Sequence, residues 1–262
     1  MVVGLKLLMA LALSLVPWVS SAQQVNPSLV EGWQSTLEQH AAPIPWSHAF
    51  ALRRDEAARP AQARQRLIEE LQTLNISARA AGQPAVAEGL ARWQATLREL
   101  DDERTRTPGR FDLPWLGANL RQVPPLSAIA HWGFCTVPDW VEVWSLDGVR
   151  RVPWSAELQL VDVYRDLSST ARQADHAALI VPSGKVLRRG VAAWNRQATP
   201  LAPGSRVVFE LPNRQGLQGA LPFNTSAAFP GTRIESDLVN RRLPALLATR
   251  LPGDDCALWH AN

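Results

Sequence analysis

Arg110 closes the run Pro108-Gly109-Arg110, between a helical stretch and an extended one, and it is the first residue here whose type and setting suggest chemistry. Its planar, forked donor set suits a carboxylate or a phosphate. The same side chain can instead be structural, pairing Asp112 or bonding loop carbonyls. Indoles come next, with eleven tryptophans against one tyrosine. Flat indole faces pack against sugar C–H surfaces much as they do against aliphatic side chains. Trp93, on a helical seam, and Trp144, in a strand, read as core. Trp154 and Trp194 stand beside turns and polar residues, and Asn195 follows Trp194. Arg110, Trp154, Trp194 and Asn195 are therefore the candidate ligand-binding residues.

Other chemistries leave no signature. His40, His48, His131, His176 and His260 show no HExxH or HxH spacing, so neither a metal nor a cofactor is expected. There is no Gly-x-Ser-x-Gly elbow and no glycine-rich phosphate loop. No catalytic residue is assigned, which favours a binding protein. Glu142, Asp162, Glu210 and Asp237 could supply a glycosidase pair, but spacing along the chain does not set their separation. Cys135 and Cys256 are the only cysteines. They are either a disulfide closing a loop of about 120 residues or two buried thiols.

The elements that must position these groups centre on residues 140–211. Val141, Val143 and Trp144 alternate with polar neighbours, Asp147-Gly148 makes a hairpin turn, and Val149 to Val152 returns. A helix follows, with Ser155 as candidate N-cap and Leu158, Val161, Tyr164 and Leu167 on one face. Ala177 to Val181, Lys185 to Arg188 and Ser205 to Leu211 read as further strands. The order β-β-α-β-β-β fits a β-grasp roll, one helix covering a mixed sheet.

Upstream, Leu29, Val30, Trp33 and Leu37 have helical spacing weakened by Pro27 and Gly32, and Pro45-Trp46 to Arg53 is extended. Residues 56–100 form a helical hairpin broken at Gly82-Gln83-Pro84, with Val86, Leu90, Trp93, Leu97 and Leu100 at four-three spacing. Extended segments on both sides make it an insertion standing on the first domain. Phe111 to Leu113 and Ala128 to Thr136 read as short strands. After an irregular stretch, Asp237 can cap a last helix through Leu243, Leu246 and Leu247. Pro244 either starts a short helix or kinks a longer one.

Lys6, the apolar run Leu7 to Val16 and Ser20-Ser21-Ala22 have the form of a cleavable export signal, too short to span a membrane. Removing residues 1–22 of the 262 leaves 240. The chain carries 27 basic and 24 acidic residues, nearly all the basic ones arginine and scattered among acids, so no nucleic-acid patch is expected.

Taken in order, Pro45-Trp46, Ala91-Arg92-Trp93, Pro108-Gly109-Arg110, Pro153-Trp154, the runs 180–186 and 193–197, Pro203-Gly204-Ser205 and the run 246–252 resemble the GfcC-like capsule biosynthesis proteins. The likeness covers about residues 45–252. It implies a periplasmic, non-enzymatic accessory protein of capsule or exopolysaccharide assembly and export in a Gram-negative bacterium, whose partners are polysaccharide or export proteins. The fold it implies is α+β, with two β-grasp (ubiquitin-like) domains, an inserted helical hairpin and a C-terminal amphipathic helix. The domains become 1–22 export signal, 23–137 first β-grasp domain with the hairpin, 138–212 second β-grasp domain, and 213–262 a C-terminal extension with a short helix. The N-terminal forty residues lack the strand this pattern expects, and Pro244 interrupts its final helix. A polysaccharide-modifying hydrolase and a purely structural protein–protein adaptor are the alternative readings.

Overall fold

The computed structural model describes residues 26–212 and 233–261, with the side chains of 233–235 left aside; the export signal lies outside them. In chain order the first half contains α1 (Leu29–Gln39), β1 (Ala49–Arg53), α2 (Arg59–Ala80), α3 (Pro84–Glu99), α4 (Leu113–Ala118) and β2 (Ile129–Cys135). The second contains β3 (Trp140–Ser145), β4 (Gly148–Pro153), α5 (Leu160–Arg165), β5 (His176–Ile180), β6 (Val186–Gly190), β7 (Arg206–Phe209), α6 (Arg233–Ala248) and β8 (Cys256–His260). The fold is α+β with two sheets.

The larger sheet runs β4-β3-β7-β5-β6, and β3 with β7 is its one parallel pair. Its first hairpin turns at Asp147-Gly148 as expected, with Gly148 at φ +111°, where a side chain would be strained. Val141, Val143 and Trp144 are all buried, so β3 is covered on both faces. The helix after this hairpin starts later than Ser155. Gln159 caps it through a reciprocal pair with Asp162, and Leu160, Val163 and Leu167 are the buried residues. The delay has a physical cause: Leu160 N–H donates to Thr199 O and Leu201 N–H to Leu158 O, so residues 158–160 are held extended against the chain entering β7.

The smaller sheet is antiparallel, β1-β2-β8. Its third strand comes from residues 256–260, outside the 23–137 range expected to hold the first domain, and Cys135 pairs with Cys256 in register. Their sulfurs are bonded. Phe111 to Leu113 is not a strand: Asp112 caps α4 by accepting Trp115 N–H. α1 forms despite Pro27 and Gly32 because Ser28 and Glu31 make a capping box. Gly32 also permits Trp132 to approach, since a Cβ there would lie 3.3 Å from the indole.

The helical hairpin appears where expected, turning at Gly82, but its seam does not serve the smaller sheet. Leu67, Leu71, Leu74, Leu90, Trp93 and Leu97 join one core with Val141, Val143 and Trp144 of the larger sheet. Each such buried side chain contributes about 2 kcal/mol. Gly89 has no room for a Cβ, which would meet Leu146 O at 2.3 Å. α6 is one helix of 16 residues that carries Pro244 within it, longer than the short helix expected. It lies against α2 and β5–β7 and buries Val239, Leu243, Leu246 and Leu247. That packing outweighs the hydrogen bond that Pro244 cannot make.

Candidate functional site

The register of the larger sheet locates the four candidate residues. Pro153 lies opposite Trp140, Glu142 opposite Arg206, and Arg206 opposite Ile180, so Trp154 and the β5–β6 turn lie toward one end of the sheet. His176 pairs with Gly190 at the other end, beside Trp194 and Asn195. Arg110 follows Gly109, whose N–H donates to Ser183 O in the β5–β6 turn. β5 and β6 each contribute five residues between that turn and Trp194, about 16 Å of strand. Trp154 follows the edge strand β4, at the far side from β6. Arg110, Trp154 and Trp194 thus occupy three corners and do not converge.

Each has a local occupation. Arg110 Nε and Nη2 donate to the two oxygens of Asp112, both at 2.9 Å, which is the structural use left open by the sequence. That contact raises the arginine's pKa, and Asp112 in turn caps α4. Trp154 is half-buried and donates its indole N–H to Leu201 O. Asn195 Nδ2 donates to Asp175 O, and Gly190 abuts the Asn195 backbone so closely that a Cβ would meet its carbonyl at 2.1 Å. Asn195 therefore fastens the 191–199 loop. Trp194 differs: it is 75% exposed and stands edge-on to His176 at 6.3 Å.

A groove of about 480 Å³ reaches toward that corner between α6 and the β5–β6 edge. Arg188, Glu210, Asp237, Asn240 and Arg241 supply its polar walls, with Val186 and Pro244 as apolar ones. Glu210 N–H donates to His176 O, so the groove is one backbone bond from the residue that backs Trp194. Arg188 holds both oxygens of Glu210, at 2.6 and 2.7 Å. Asn240 is fixed by two bonds to the backbone of Leu211. Of the four candidate acids, Glu210 and Asp237 line this groove together, whereas Glu142 contacts Arg206 and Asp162 serves the α5 cap. Spacing along the chain concealed the groove, because β6 and α6 are brought together only by the sheet.

Three buried arginines, Arg106, Arg206 and Arg250, were also missed. Arg106 donates to Ala248 O, at the end of α6, and to Pro182 O. Burial and the neighbouring Arg206 push its pKa down to about 9. Arg206 donates to Leu251 O, and its Nε lies 3.2 Å from Glu142 without hydrogen-bond alignment. These arginines join the segment carrying β8 to the larger sheet. Among the described residues no group of three His, Cys, Asp or Glu is placed to hold a metal, and no helix is long and apolar enough to cross a membrane.

Residues 149–220 match a family model described as the C-terminal region of the capsule biosynthesis protein GfcC. The match includes Trp154, Trp194 and Asn195 and excludes Arg110. No curated protein matches the chain.

Proposed function

We infer, for a chain that belongs to the GfcC-like capsule biosynthesis proteins, a periplasmic, non-enzymatic accessory role in assembly or export of the polymer. The match over 149–220 carries the capsule assignment. The Cys135–Cys256 bridge supports an oxidising compartment, in keeping with export by a leader at 1–22. The hairpin–helix–hairpin–strand order, with its central parallel pair, supports a β-grasp domain at 138–212. The smaller sheet, with β8, is the remnant of the first such domain at 23–137.

The protein touches glycan, or the export machinery that carries it, along the groove beside α6, with Trp194 as the stacking platform at its end. A rigidly backed, exposed indole next to fixed polar walls suits a sugar ring, whose faces are apolar and whose rim is polar. A hydrolase would need Glu210 and Asp237 as its pair, since both line the groove. Glu210, however, has both oxygens engaged by Arg188.

Deletion of the gene is expected to remove surface polymer, and wild type to restore it. Trp194→Ala is expected to fail at normal protein level, and Asp237→Asn to restore polymer fully. Unchanged amount, length and attachment of polymer after deletion would overturn the capsule role. Failure of Asp237→Asn together with polymer of altered length would turn the assignment to the hydrolase.

A further inference from the structure

α6 has a second cavity on another side, against α2, of about 220 Å³. On α2, Arg59, Ala63 and Arg66 follow the i, i+4, i+7 spacing of one helix face; on α6, Arg242, Ala245 and Thr249 follow i, i+3, i+7. The two alanines stand mid-face on their helices, where larger side chains would interdigitate, and the space between remains open. Pro60 and Leu246 give it apolar walls. Three guanidinium groups and no carboxylate line it. Glu56 pairs with Arg59 at 3.5 Å and Glu70 pairs with Arg242, both from outside the lining. Arg66 makes no ion pair or hydrogen bond among the described residues.

We propose that this cavity binds one anionic group, carboxylate or phosphate, carried on a sugar ring. The arginine forks match planar carboxylate and phosphate oxygens, and the apolar walls suit the C–H face of the ring. The volume equals about seven waters at ~30 Å³ each, room for a single ring and not for an oligosaccharide. The sugar part rests on the capsule role; the anion part rests on the arginines alone.

The test is calorimetric titration of the purified protein with glucuronate, glucose 1-phosphate, glucose and inorganic phosphate. Glucuronate or glucose 1-phosphate, or both, should bind at least about tenfold more tightly than glucose and than phosphate. The order of the two acidic sugars distinguishes carboxylate from phosphate. Arg66→Gln should weaken that binding at least about tenfold, and Ala63→Leu, a substitution at an exposed helix position that keeps helix propensity, should abolish it without lowering Tm. Equal binding of glucose and glucuronate overturns the anion. Phosphate binding as tightly as glucose 1-phosphate overturns the sugar. Undiminished binding by Arg66→Gln, or no heat from any probe up to about 10 mM, overturns the site. A gene whose deletion removes capsule while its protein binds no acidic sugar sinks only this site, and binding without a capsule phenotype sinks only the capsule role.

Discussion

Trp93 of the helical hairpin donates its indole N–H to Ser145 O at 2.6 Å, at the end of β3, and meets Trp144 edge-on at 6.1 Å. Both rings are fully buried. This contact makes the hairpin part of the larger sheet's core. Trp93→Ala should cost about 3 to 5 kcal/mol through the cavity it leaves. Trp93→Phe, which keeps most of the volume, should cost less, about 1 to 3 kcal/mol for the unpaired Ser145 carbonyl. Urea unfolding of the two variants checks the order, and equal costs would count against the hydrogen bond.

Reduction should loosen the C-terminal strand. Cys135 and Cys256 are 121 residues apart in sequence, so their bond removes about 4 to 5 kcal/mol of chain entropy from the unfolded state. Cys135→Ser with Cys256→Ser should lower Tm by several degrees, and dithiothreitol should shift wild type but not the double variant. Limited proteolysis should then cut first around β8, which has only β2 as a strand partner.

Acid should destabilise the fold before carboxylates protonate. Burial, aided by the Arg106 charge, lowers the pKa of His48, and burial, aided by His260, lowers that of His131. The Pro203 and Thr105 carbonyls oppose these shifts without cancelling them. Both imidazoles stay neutral in the fold while the unfolded chain takes up protons near pH 6.5. The stability they contribute is complete above that value and is lost as pH falls below it. Tm should drop between pH 7 and pH 5, and His48→Gln with His131→Gln should flatten that slope.

Arg110→Ala and Trp194→Ala should separate structure from binding. The Arg110–Asp112 pair is exposed on the arginine side, so its loss should cost no more than about 0.5 kcal/mol after screening. Asp112→Ala also removes the α4 cap and should cost about 1 kcal/mol more. Trp194→Ala should leave Tm within about 1 °C, its ring being 75% exposed, while reducing retention on purified capsular polymer. A large fall in Tm for Trp194→Ala would make its role structural.

Gly190→Ala should be more harmful than an ordinary strand substitution, because the added carbon meets Asn195 O at 2.1 Å. The 191–199 loop would have to lift from Asp175, taking Trp194 with it. Loss of polymer retention by Gly190→Ala with an intact core by circular dichroism would link the loop's seat to binding.

Local patterns carried much of this architecture. The β3–β4 hairpin was legible from alternation and Asp147-Gly148, and the helical hairpin from the Leu90–Trp93–Leu97 spacing, because in both the partners are near in sequence and the turn chemistry is explicit. The β5–β6 hairpin was legible for the same reason. Ser28 and Glu31 offered a capping box that Pro27 and Gly32 obscured, and Gly32 proved to be a packing residue beneath Trp132.

What local pattern left open was decided by pairings distant in sequence. Five residues from Cys256 carry little strand signal until β2 supplies their hydrogen bonds. α5 begins at Leu160 and not near Ser155 because Thr199 and Leu201 claim the intervening backbone. Pro244 stays within a helix because both sides of α6 are packed. The candidate sites divide the same way. The sequence by itself determined which residues can stack on sugar or hold an anion, the types of turn, and the pair of cysteines. Only the tertiary structure decided that Arg110, Trp154 and Trp194 lie at separate corners, and that Arg59, Arg66 and Arg242 share one cavity. Side-chain chemistry is a property of each residue, whereas convergence depends on which helices and strands bury one another.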